Sequence, residues 1–182
     1  MRLHLLRHTK PQIAEGLCYG QTDVDVSQAD CDALVQKLSS QLRPGLPVFS
    51  SPLQRCARLA RLLHAEPLFD DRLKELNFGV WEMQAWDNIP RIEIDAWAAA
   101  PASYKPGGLE SAIDLAQRTL SWLVDMHARN IPDAIVVTHA GVMRMLLAWQ
   151  ASMAAEELAG VVCAQSLSLA FGEYQEILVF NT

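Results

Sequence analysis

The apolar positions of this chain fall into two rhythms that alternate from one end to the other. Short, dense apolar runs at Arg2 to Arg7, Pro47 to Ser50 and Ala134 to Thr138 are too brief for helices and are bounded by Pro, Gly, Ser or His. They predict buried strands. Between them the spacing changes to 3.6 residues. Ser27, with Asp30 in capping-box position, opens a helix to about Leu42 that stops at Arg43-Pro44-Gly45. Ser51 and Pro52 read as the cap and first turn of a second helix, with Leu53, Ala57, Ala60 and Leu63 on one face and Arg55, Arg58 and Arg61 elsewhere. A Trp-rich helical piece follows from about Ala85 to Ala99. A long helix from Ser111 to Ala128 carries the stripe Ala112, Leu115, Ala116, Thr119, Leu120 and Leu123, and Val142 to Gln150 gives another helix. Ser166 to Phe171 and Tyr174 to Phe180 read as strands joined at Gly172-Glu173, a hairpin. Strands alternating with helices predict an α/β fold: a three-layer α/β/α sandwich whose central sheet is mostly parallel with an antiparallel edge.

Length adds that the 182 residues fit a single domain over 1–182, with no repeat or linker. No window approaches the ~18 uninterrupted apolar residues of a membrane span. The first eight residues are too broken by polar groups for a secretory leader, so a cytoplasmic protein is expected. A net charge of -6 disfavours nucleic acid and membrane surfaces as partners, yet leaves room for a small phosphorylated metabolite held by a few convergent cations. Cys18, Cys31, Cys56 and Cys163 show neither C-x-x-C nor zinc spacing, so reduced thiols and no metal or other cofactor are expected. A monomer or a homodimer would fit equally.

Candidate chemistry gathers where strands end. Leu5-Leu6-Arg7-His8 runs a strand into an Arg-His pair, and Val136-Val137-Thr138-His139-Ala140-Gly141 runs another into a His before a helix. Ligands of open α/β sheets bind beyond the carboxyl ends of the strands, so both imidazoles should share one edge. Arg55, in the first turn of the helix after the strand ending at Ser50, should reach it too. Two guanidiniums, two imidazoles and a helix amino terminus suit a phosphate dianion. A neutral His8, its pKa depressed by Arg7 and Arg55, could attack phosphorus directly. Glu75 is the candidate proton donor for the leaving group, with Glu82 as competitor. Gln21 and Ala140 are candidate substrate contacts, and Cys18 and Tyr19 either line the mouth or pack. His4, His64 and His127 have no chemical company and are expected to be structural or exposed. Trp81, Trp86 and Trp97 read as core or lid.

The series Leu6-Arg7-His8, Ser51-Pro52-Leu53-Gln54-Arg55, Arg72-Leu73-Lys74-Glu75 with Phe78-Gly79-Val80-Trp81-Glu82, and Thr138-His139-Ala140-Gly141 resembles the histidine phosphatase superfamily, the branch with the cofactor-dependent phosphoglycerate mutases. The matches come in family order over most of the chain. The resemblance implies His8 as nucleophile, Arg7, Arg55 and His139 on the phosphoryl oxygens, Glu75 as acid and then base, and no metal. His8-Thr9-Lys10-Pro11 followed by Gly16-Leu17-Cys18-Tyr19-Gly20-Gln21-Thr22-Asp23 is similar to the alpha-ribazole phosphatases of cobalamin synthesis. The expected activity is metal-independent phosphomonoester hydrolysis. The alternatives are a broad-specificity phosphatase, a phosphoglycerate mutase-like enzyme, and a non-catalytic phosphate-binding regulator on the same fold. A magnesium-dependent rival built on Asp23-Val24-Asp25-Val26 lacks the hydrophobic strand that should precede such a box.

Overall fold

A computed structural model describes residues 1–179. Its sheet contains β1 (Arg2–Arg7), β2 (Val48–Ser50), β3 (Leu68–Phe69), β4 (Asp133–Thr138) and β5 (Tyr174–Leu178) in the order β3-β2-β4-β1-β5. β2 pairs parallel with β3 and β4, and β4 pairs parallel with β1. β5 is the antiparallel edge beside β1. The helices are α1 (Gln28–Leu38), α2 (Gln54–Leu63), α3 (Arg91–Ala99), α4 (Ala112–Ala128), α5 (Ala140–Ala148) and α6 (Ala155–Ala164). The α/β sandwich with a mostly parallel sheet and an antiparallel edge is therefore the observed architecture.

Alternation along the central strands divides the core in two. Leu3, Leu5, Phe49, Ala134 and Val136 point into one layer with Leu115, Leu123, Met143 and Leu158 of α4, α5 and α6. Leu6, Val48, Ile135 and Val137 point into the other, against Leu34, Cys56, Leu59 and Ala60 of α1 and α2. A strand covered on both faces must be apolar on both, which is why β4 reads as a continuous run. A third cluster, Cys18, Trp81 and Ile89 with Phe78, Ile94, Trp97 and Tyr104 around it, makes the Trp-rich segment core, and Cys18 belongs to it.

Four expectations are corrected. Ser166 to Phe171 is irregular, so no hairpin forms; β5 takes its pairing from β1, and Phe180 lies outside the described residues. The helix opened by Ser27 ends at Leu38 rather than near Leu42. Ser51 does not cap α2, whose first turn lacks a cap from its own flank; Asp23 Oδ1 accepts the Gln54 N–H at 2.7 Å instead. His4 does have company: it is buried, with Nε2 2.9 Å from Asp133 Oδ1 and Nδ1 2.7 Å from the Tyr174 hydroxyl.

Candidate active site

Register sets the centre of the site. Arg7 of β1 stands opposite Thr138 of β4, so the next residues, His8 and His139, leave two neighbouring parallel strands side by side. Their ring centroids are 5.1 Å apart with planes at 62°, close to the ~4.8 Å spacing of strands in a sheet. Ser50 of β2 pairs with Val137 of β4, which brings Ser51 to the same edge. His139 ends β4 and immediately precedes α5, so the ring sits at that helix's positive end.

Both imidazoles are buried. His8 Nδ1 lies 2.7 Å from the Thr9 carbonyl oxygen, which can only accept. Nδ1 therefore carries the proton, and Nε2 keeps a free lone pair. Burial, then Arg55 and Arg7, push the His8 pKa down to about 3 against the opposing pull of the Thr9 carbonyl. Burial and Arg55 likewise hold His139 well below the usual imidazole range. Its Nδ1 faces Arg55 Nε at 3.3 Å, and its Nε2 lies 2.8 Å from Ser51 Oγ.

The two lowered pKa values carry a signed consequence. The unfolded chain binds protons at these imidazoles near pH 6.5 and the folded chain does not, so stability falls as pH drops below 6.5 toward the folded values. We expect the His8 ring resonances to hold their neutral positions from pH 8 to about pH 5 in an NMR titration. A midpoint near 6.5 would contradict the buried, cation-flanked environment.

Arg55 is fully buried. Its Nη1 donates to the Thr22 carbonyl at 2.9 Å and its Nη2 to the Gly20 carbonyl at 2.5 Å, and its guanidinium carbon lies 5.2 Å over the Tyr19 ring. Arg7 donates to the Leu169 carbonyl, and its guanidinium carbon lies 4.1 Å over Phe171. Phe171 also stands 5.6 Å from His8. Neither arginine is ion-paired with a carboxylate among the described residues. Neutral carbonyls and ring faces satisfy geometry without cancelling charge, so this edge keeps a positive field inside an acidic protein.

Glu75 is delivered by a tightly sewn loop. Arg118 of α4 donates to the carbonyls of Arg72, Lys74 and Glu75 at 2.7, 2.5 and 2.9 Å, and is itself held by Glu110 at 2.6 Å. Gln21 Nε2 donates to the same Glu75 carbonyl at 2.9 Å, so its side chain acts on the loop that carries the acid. The Glu75 carboxylate accepts the Gly141 N–H at 3.2 Å and the Leu76 N–H at 2.9 Å. A Cβ at Gly141 would collide with Glu75 Oε1, so this approach requires glycine. Glu82 is spent differently. Its oxygens accept the backbone N–H groups of Gln21, Thr22 and Phe78 at 2.8, 2.6 and 3.0 Å and the Thr22 hydroxyl at 2.5 Å. It fastens the loop whose carbonyls hold Arg55. Asp25, half of the rival acidic box, pairs with Arg58 at 2.7 Å.

The structure thus brings together His8, His139, Arg7 and Arg55, with Glu75 and Ala140 beside the α5 amino terminus. Ala140 and Gly141 line a cleft of about 360 Å³ that begins at Glu75. A second hollow of about 330 Å³ lies on the other side, between Lys10, Tyr19 and Phe171. Ser51 and Arg118 are the participants that sequence reasoning missed. Ser51 follows a strand just as the two histidines do, and that was its available signal. Arg118 gave none, because a lone arginine on a helix reads as surface. Among the described residues no three His, Cys, Asp or Glu side chains are grouped to hold a metal ion, and no helix is long and apolar enough to cross a membrane.

Comparison with known proteins agrees with this geometry. A sequence model of the histidine phosphatase superfamily (branch 1) matches residues 3–176. A phosphoglycerate mutase structure from Thermus thermophilus is 31% identical, with a TM-score of 0.66 over 81% of this chain and 84% of that one. The alpha-ribazole phosphatase from Shigella flexneri superposes with a TM-score of 0.79 at 23% identity, covering 99% of this chain and 91% of that one. A mycobacterial glucosyl-3-phosphoglycerate phosphatase superposes at 0.74 with 22% identity, over 96% and 88%. The last two are likenesses of fold.

Proposed function

We propose, from the premise that this chain belongs to the histidine phosphatase superfamily (branch 1), that it hydrolyses phosphomonoesters through a phosphohistidine on His8. The observation that carries the proposal is the pair of guanidiniums without a carboxylate partner, set around two buried, neutral imidazoles. Such a cavity attracts a tetrahedral dianion and presents it to an unprotonated nitrogen.

In the first step His8 Nε2 attacks phosphorus while the ester P–O bond breaks. Arg7, Arg55 and His139 hold the equatorial oxygens, and Glu75, in its protonated form, gives its proton to the leaving alkoxide. In the second, water attacks the phosphohistidine, Glu75 takes the water proton, and the P–N bond breaks to release phosphate and restore His8. Glu75 fits this part better than Glu82, whose oxygens are occupied by four donors. Hydrolysis is preferred over mutase transfer because the loops around the site leave little sequence to spare for enclosing a bisphosphate. Alpha-ribazole 5'-phosphate is the first natural substrate to test, on the strength of the Cys18-Tyr19-Gly20-Gln21 run.

The test is p-nitrophenyl phosphate turnover in excess EDTA, with mass-spectrometric search for phosphate on the His8 peptide after a rapid quench at high pH. Full activity in EDTA with label on His8 is the expected result. Loss of activity that magnesium restores would reject the assignment, and labelling of another residue would move the nucleophile.

A further inference from the structure

An in-line displacement puts the leaving oxygen across phosphorus from the attacking nitrogen, at the group that protonates it. That group is Glu75 on the phosphatase reading above, and Glu75 forms one end of the cleft of about 360 Å³. The alcohol portion of a substrate must therefore enter this cleft rather than the hollow at Lys10, Tyr19 and Phe171.

Its walls are chemically one-sided. Phe78, Trp97, Leu115, Met145 and Val162 supply aromatic and aliphatic surface. Trp97 is fixed in place, stacked on Trp86 at 6.2 Å and edge-on to Phe78 at 6.0 Å and Trp81 at 5.7 Å. Arg144 is the one basic residue of the lining, and its Nη2 is engaged by the carbonyls of Val162 at 2.6 Å and Gln165 at 2.9 Å, where α6 ends. A carboxylate entering here would lose its water to apolar walls and stand near Glu75. A flat, uncharged ring would gain contact on rigid surface, and the volume suits a ring system of one or two cycles.

We propose that the cleft selects phosphomonoesters whose alcohol is uncharged and carries an aromatic ring, seated against Trp97 and Phe78. This deepens the reading of the site as a phosphatase and rests on it.

The experiment compares three esters of alcohols: 2-(1-naphthyl)ethyl phosphate, glycerol 3-phosphate and 3-phosphoglycerate. All three lose an aliphatic alkoxide, so differences in kcat/KM report the cleft more than the bond. The naphthylethyl ester is expected to exceed glycerol 3-phosphate by roughly 10- to 200-fold, and 3-phosphoglycerate by at least as much. Trp97→Ala is expected to cut the first ratio by about tenfold or more. Because that change also touches the Trp81 cluster, a second measurement uses the wild-type chain. Cys163 lines the cleft and is partly exposed, whereas the other three cysteines are buried. Saturating 2-(1-naphthyl)ethanol should slow N-ethylmaleimide labelling of Cys163 severalfold, and glycerol should not.

Equal kcat/KM values across the three esters, or a preference for 3-phosphoglycerate, would overturn the proposal whatever the labelling shows. So would hydrolysis with no protection of Cys163. Protection of Cys163 without hydrolysis of any ester would support the aromatic site while rejecting the phosphatase reading, so the two failures are separable.

Discussion

His8→Ala is expected to lower kcat for p-nitrophenyl phosphate by at least ~10³-fold, because the covalent route disappears and no second unprotonated nucleophile is positioned to replace it. The His139 ring lies next to His8, but both its nitrogens are engaged, one by Arg55 and one by Ser51. The substitution also leaves a cavity where a buried ring stood, so the variant's thermal transition must be checked beside its rate. Phosphate affinity separates the explanations. Arg7 and Arg55 remain, so inorganic phosphate should still bind within about tenfold of wild type by calorimetry. A folded variant that binds phosphate and turns over at the wild-type rate would remove His8 from the chemistry.

The second large effect is expected at Glu75→Gln, and its form matters more than its size. An amide keeps the shape and one acceptor oxygen but can neither give up nor take a proton. Turnover of an alkyl phosphate should fall by about 10²- to 10⁴-fold, the usual worth of a positioned acid-base group. p-Nitrophenolate leaves without protonation, so with that substrate the first step should survive and the water step should fail. Stopped-flow traces should show a burst of p-nitrophenolate approaching one equivalent per enzyme, followed by a slow steady state. Equal losses on both substrates with no burst would assign the proton traffic elsewhere. Glu82 would not then be the natural heir, since its substitution would first loosen the loop that holds Arg55.

Much of this centre could be read before any coordinates, for a definite reason. β1 and β4 are covered on both faces, so their sequences had to be continuous apolar runs, and the residues just past such runs had to emerge at the sheet's carboxyl edge. That places His8, His139 and Arg55. Legibility fails where the partner is distant in sequence. α2 begins without a cap of its own because Asp23 supplies one from another loop, so Ser51 was given a capping part that the fold does not need. α6 escaped because Ala154 offers no capping oxygen and its buried stripe, Ala155, Leu158, Ala159 and Val162, is half alanine. Ser166 to Phe171 has the alternation of a strand, but its carbonyl at Leu169 goes to Arg7 and its ring at Phe171 covers that guanidinium, leaving no ladder to join. The loop around Glu75 depends on Arg118 and Glu110, a pairing that no local spacing announces.

The register that sets His8 beside His139 joins the first strand of the sheet to one encoded far downstream. A ribosome must therefore release the polypeptide beyond β4 before the two imidazoles can meet, and products cut short of that strand can hold no partial version of the centre. Because such distant pairing is assembled slowly and all together, recovered turnover after refolding should track the last structural phase rather than early collapse. The enzyme's own rate then serves as a clock for completion of its sheet.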